Sequence, residues 1–173
     1  SNAVTTLGHL GQQVNNAIAL ADGRDIVYGE LVDHAMRLQR APINGGPPQR
    51  LPLPLVSSFA IVDNDLVFTQ PQLSGATRCA LDTLQCKPLN VPLDDASRFD
   101  WALGNGVLWY ANRSASGKPQ LVRFDLNSGE QKAFDYAPSA VGTNIAVSRD
   151  GKTLIVAREA PAVVDLMIAK PVK

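Results

Sequence analysis

The sequence predicts an all-β protein made of β-propeller blades. Three observations carry this prediction. A hairpin motif recurs four times at a spacing of roughly 40 residues. Turn-forming residues separate short apolar strands within each repeat, and no helical 3.6-residue stripe of useful length occurs.

The first repeat runs from Asn16 to Tyr28 around Asp22-Gly23, and the second from Phe59 to Phe68 around Asn64-Asp65. The third runs from Phe99 to Tyr110 around Asn105-Gly106, and the fourth from Asn144 to Val156 around Asp150-Gly151. Each is an apolar strand, a turn, and a second strand of β-branched or aromatic residues. Asp, Asn and Gly tolerate the positive φ that a two-residue hairpin demands, so a two-residue turn is expected in all four. Ile26, Leu66, Leu108 and Leu154 are equivalent positions, spaced by 40, 42 and 46 residues. That period with hairpin turns marks a propeller, with about four short strands to a blade.

The second half of each repeat agrees. The stretches beginning at Leu38, Thr77 and Leu121 align without gaps, and each leads to an outer strand ending in an apolar residue: Leu51, Leu89 and Phe134. Strand, polar turn, strand is the outer hairpin of a blade. Blades are thus expected at 14–54, 55–94, 97–138 and 140–170. Pro47-Pro48, Pro52 and Pro54 mark the outer strand of the first blade as an edge, where proline blocks further pairing.

The ends of the array differ from its middle. The fourth repeat stops after a third strand around Val163 to Ile168, while Val4 to Leu10 reads as an outermost strand without a blade. Two arrangements are open. Strand 4–10 completes the last blade and closes a small ring, hiding edges that invite aggregation, or it is the tail of a preceding blade in a partial propeller. An open array could also pair with a second copy as a homodimer. Ser1-Asn2-Ala3 reads as the remnant of a cleaved tag, leaving 4–173 as a single propeller-type domain of a longer protein.

Composition excludes several function classes. Hydrophobic residues make up 45% and charged residues 18%, and 16 Lys plus Arg balance 16 Asp plus Glu. Nucleic-acid binding needs a basic excess, so none is expected of this chain. No stretch approaches the roughly 20 apolar residues that span a bilayer. Membrane attachment is therefore expected only through an upstream segment.

Ser148, Asp150, Gly151 and Leu154 fall in the order Ser-x-Asp-Gly-x-x-Leu, followed by Val164 to Ile168. This run resembles TolB-like propeller repeats. The first repeat keeps Asp22-Gly23, whereas the second and third have lost the Ser and Asp pattern. The closing stretch Asp165-Leu166-Met167-Ile168 resembles the tail of CadC-like bacterial regulators. In that family a cytoplasmic winged-helix domain and one transmembrane helix precede a periplasmic sensory domain that is often propeller-like. The resemblance implies a non-catalytic, periplasmic sensory domain whose partner is a protein or a small-molecule signal. Two alternatives stay open: a TolB-like periplasmic interaction scaffold unrelated to transcription, and an accessory propeller domain of a peptidase.

Candidate chemistry is sparse. Cys79 and Cys86 are the only cysteines and fall on the third and fourth strands of the second repeat, across one hairpin. That placement suits a disulfide, which persists only in an oxidising compartment. Four ligands for zinc are not found together, and no metal or cofactor is expected. His9 and His34 have no nucleophile motif beside them, and Ser114 to Gly117 reads as a polar loop, so no catalytic residues are assigned and no enzyme is expected. Asp94, Asp95 and Asp100 could gather oxygens for Ca²⁺ or, with Asp94 and Asp95 part of a binding surface, hold a cationic ligand, although a solvated inter-blade loop is the simpler reading. Trp109 and Tyr110 point to opposite faces of their strand, so one should pack between blades. An exposed aromatic beside Arg113 is the best candidate for a partner surface.

Overall fold

The computed structural model describes residues 13–93, 97–135, 145–160 and 163–169, with the backbone alone described from 157 onward. Strand 4–10, His9, Asp94 and Asp95 lie outside the described residues. All regular structure among the described residues is β-strand, arranged in four antiparallel sheets that follow one another along the chain.

Blade 1 holds β1 (Val14–Ala19), β2 (Asp25–Val32), β3 (Ala35–Pro42) and β4 (Gln49–Arg50). Blade 2 holds β5 (Ser58–Val62), β6 (Asp65–Thr69), β7 (Ala76–Ala80) and β8 (Cys86–Leu89). Blade 3 holds β9 (Trp101–Gly104), β10 (Val107–Arg113), β11 (Pro119–Asp125) and β12 (Gln131–Asp135). Blade 4 holds β13 (Ile145–Val147), β14 (Leu154–Ala160) and β15 (Val163–Ala169) among the described residues.

The four inner hairpins are of two kinds, not one. In blade 3, Gly104 pairs with Val107 around Asn105-Gly106, whose φ values of 47° and 72° suit a two-residue turn. Blade 2 also has a two-residue turn, but at Asp63-Asn64, one residue earlier than expected, because Val62 pairs with Asp65. Blades 1 and 4 have wider loops. Leu20 N–H donates to Asp25 O (2.9 Å) and Ser148 N–H to Thr153 O (2.8 Å), leaving four residues in each loop. There the Asp side chain holds the bend: Asp22 Oδ1 accepts from Arg24 N–H (2.9 Å), and Asp150 Oδ1 from Lys152 N–H (3.1 Å). The Asp-Gly pair takes the same two central places in both loops.

Alternation along each second strand sends its residues to the preceding blade and the following blade by turns. Leu66 and Phe68 pack back onto Val27, Leu38 and Leu51 of blade 1. Leu108 and Tyr110 pack back onto Val67 and Ala76 of blade 2. Leu154 and Val156 pack back onto Leu121 and Trp109 of blade 3. Ile26 and Tyr28 hold the equivalent backward positions in blade 1 and are buried with Ala41. Burial, and then the nearby Glu30, raise the pKa of Tyr28.

The strand register corrects the alignment of the second halves. Val27 pairs with Arg40, Val67 with Arg78, and Trp109 with Arg123. Leu38 therefore matches Ala76 and Leu121, so Thr77 stands one residue out of line. Inner strands meet most closely between blades 3 and 4. A Cβ on Gly104 would lie 2.6 Å from Ser148 O and 2.9 Å from Val147 Cγ1, so only glycine fits at this crossing. Arg149 of blade 4 also reaches Asp63 of blade 2 at 3.8 Å, past the hairpin of blade 3. The inner turns thus converge on one side, which is the curvature of a propeller.

Candidate functional site

The aligned register brings out a feature the sequence reading missed. Arg40, Arg78 and Arg123 occupy one position on the third strand of blades 1, 2 and 3, on the face toward the next blade. Arg40 Nε donates to Asp25 Oδ2 at 2.8 Å, Arg78 is paired with Asp65, and Arg123 Nη2 lies 3.5 Å from Asp125 Oδ2. The hydrogen bond to Asp65 raises the pKa of Arg78. Each pair sits at a partly exposed rim, where an ion pair contributes about 0.2–1 kcal/mol. The signal was present in the sequence, but the misplaced Thr77 put Arg78 out of phase with its counterparts.

Between blades 2 and 3 this rim opens into a cleft of about 210 Å³. Its floor is Val67, Leu103 and Leu126, and its rim carries Asp63, Asp65, Arg78, Asn105 and Asn127. The loop that follows Arg123 is fixed by Asp125, whose Oδ1 accepts the N–H groups of Asn127 and Ser128, both at 3.0 Å. The Ser128 and Asn127 N–H groups hold the Asp125 carboxyl below the usual range. Asp150 is held low in the same way, first by the Ser148 hydroxyl and then by Lys152 N–H. Both carboxylates work as turn braces.

The second feature is an aromatic shelf on blade 3, on the face toward blade 4. Trp109 is half-buried and stacks on Phe134 with ring centroids 5.8 Å apart. Lys132 places its ammonium 5.2 Å from the Phe134 ring, and Phe134 remains 38% exposed. The equivalent outer-strand residues are better covered: Leu51 is 8% exposed and Leu89 half-buried.

The structure distributes the remaining candidates unevenly. Tyr110 is fully buried between blades 2 and 3, so it belongs to the core and not to a partner surface. Arg113 is exposed, but its Nη1 donates to Gly117 O (3.0 Å) within the loop joining β10 and β11. His34 is an exposed turn residue between β2 and β3, with φ 64°. Asp100 lies in the connection into β9, where its carbonyl accepts Ala111 N–H at 3.3 Å. Cys79 and Cys86 are directly paired across β7 and β8 and joined by a disulfide, with Cα atoms 4.0 Å apart. Cys79 is buried against blade 1, and Cys86 is exposed.

No protein-family model and no curated protein matches the sequence. Solved structures do match in fold. TolB from Acinetobacter baumannii aligns at a TM-score of 0.70 and 13% identity, over 89% of this chain and 40% of that one. The tricorn protease aligns at 0.62 and 16% identity, over 90% of this chain and 15% of that one. Dipeptidyl peptidase 4 from Porphyromonas gingivalis aligns at 0.59 and 10% identity, over 98% of this chain and 34% of that one. The chain is an array of TolB-like β-propeller blades. It spans about 40% of the length of the TolB it matches.

Proposed function

We propose that this array is a non-catalytic sensory domain, the C-terminal periplasmic part of a membrane-bound bacterial transcriptional regulator of the CadC-like kind. The observation that carries this reading is the blade 3 shelf, where Trp109, Phe134 and Lys132 offer an aromatic and cationic surface on the face toward blade 4. Tryptophan is among the residues enriched in interaction hot spots. The Cys79–Cys86 bond supports an oxidising compartment, and the periplasm is one. The closing Asp165-Leu166-Met167-Ile168 stretch supports the link to CadC-like regulators. In this reading the domain binds a protein or small-molecule signal and transmits it through an upstream membrane segment, and DNA contacts reside elsewhere in the protein.

The TolB likeness favours a second reading, a periplasmic interaction scaffold with no role in transcription. The peptidases among the fold matches favour a third, an accessory propeller of a hydrolase. The full-length gene product separates the three. A winged helix and a single membrane span upstream support the sensor. A cleavable signal with no DNA-binding domain selects the scaffold, and a hydrolase domain overturns the non-catalytic assignment. Mobility with and without reductant tests the compartment, since two free thiols in protein from oxidising conditions would remove the support for the periplasm.

A further inference from the structure

The three outer strands meet solvent differently. β4 is only Gln49–Arg50, set between Pro47-Pro48 and Pro52, and β8 carries Pro88. Short length and proline are the means by which edges are kept from pairing with another chain. β12 has five residues, no proline, and every one of them exposed.

Register decides which of its backbone groups are available. Asp125 N–H donates to Glu130 O at 2.9 Å, and two residues further along lie the pairs Arg123–Lys132 and Leu121–Phe134. Hydrogen-bonded pairs alternate with non-bonded ones in an antiparallel ladder, so Lys132 and Phe134 direct their backbone groups to β11. Gln131, Ala133 and Asp135 direct theirs outward.

We propose that β12 pairs antiparallel with the same strand of a second copy, about a two-fold axis through Ala133. Such an interface is self-complementary by construction. Ala133 meets the partner's Ala133, and Gln131 sets its amide opposite the partner's Asp135. Lys132 lies opposite the partner's Phe134, repeating between chains the cation–ring contact present within each strand. About six backbone hydrogen bonds form between the outward-facing residues.

Neighbouring registers are worse. An axis through Lys132 places two lysines directly opposite, which destabilises a sheet. An axis through Phe134 leaves Lys132 beyond the end of the partner's strand. The two shelves then lie side by side on one face of a joined sheet. An interface of this size belongs with weak pairs that bury less than about 1,200 Å².

Sedimentation velocity over a concentration series reaching near-millimolar tests the proposal. The expected result is a monomer–dimer equilibrium that Ala133→Pro weakens at least about tenfold, since it removes an outward N–H and spares the β11–β12 ladder. Ala133→Asp, which sets like charges on the axis, should weaken it similarly. Far-UV circular dichroism and melting should stay as in the parent chain for at least one of the two. A monomer throughout the series overturns the proposal. So does a dimer that neither substitution weakens. Neither result bears on the sensory reading, which rests on the gene product upstream.

Discussion

The interface between blades 1 and 2 and that between blades 3 and 4 are built from equivalent positions and end up unlike. The first buries a cluster from Leu20 to Leu81 in which Leu66 and Val56 are fully excluded from solvent. The second buries Leu121, Leu154 and Val156 among the described residues, while Phe134 stays 38% exposed. The difference lies outside the inner strands, which match. Blade 2 brings a fourth strand, tied to the third by Cys79–Cys86, and a connection whose Val56 exchanges backbone hydrogen bonds with Met36 at 2.8 and 2.9 Å. An inter-blade core is therefore closed at its periphery by Cys79, Leu81 and the linker residue Val56 of the following blade.

The largest test of this contrast compares equivalent leucines. Leu66→Ala should cost toward the upper end of the range of about 2–5 kcal/mol for buried leucines, because its surroundings are closed on every side. Leu154→Ala should fall toward the lower end, since a partly open interface can settle around the gap. Urea unfolding of both variants checks the order, and equal losses would refute the idea that the linker and the end of the third strand close the core. Next comes the disulfide. Cys86→Ala releases β8 from β7 and should cost about 2–3 kcal/mol on the loop-entropy estimate. Reductant should shift the melting of the parent chain and leave the variant unchanged.

A smaller effect is expected at the outer strands. Leu51→Ala should destabilise by more than Phe134→Ala, although phenylalanine is the larger side chain, because Leu51 is 8% exposed and Phe134 38%. Thermal melts in parallel would decide it, and a greater loss at Phe134 would mean the shelf is a closed interface in solution. The smallest effect is on pH dependence. Asp125 and Asp150 are held below the ordinary carboxylate value of 3.8 in the folded chain. Their contribution is therefore fully present above that value and is lost as pH falls through the lowered folded values. Asp125→Asn and Asp150→Asn should each flatten the acid limb of stability against pH. A limb unchanged in both variants would show that the braces are replaced by solvent.

Much of the fold was legible in the sequence, and the reasons are local. Asp-Gly and Asn-Gly dipeptides between apolar runs mark hairpins because few residues accept positive φ. Two cysteines across one hairpin read as a pair, and they are one. Errors arose where the local signal is shared by several geometries. Asp-Gly, expected to make two-residue turns, stands instead in the four-residue loops of blades 1 and 4. In the second repeat, one residue of misalignment at Thr77 turned Arg78 to the wrong phase and hid the Arg–Asp pairs. Tyr110 and Trp109 could not be told apart by alternation, which assigns opposite faces without saying what lies against each.

The sequence alone determined that the chain repeats as four hairpin units and which cysteines face each other. Those features follow from period, alternation and turn chemistry, all of which act over a few residues. Only the tertiary structure decided that Tyr110 is core, that Gly104 must lack a Cβ, and that Phe134 stands open beside an unprotected β12. These depend on how closely neighbouring sheets approach and on how far their inner turns converge. Such distances accumulate from small twists over whole blades, and no short stretch of sequence encodes them.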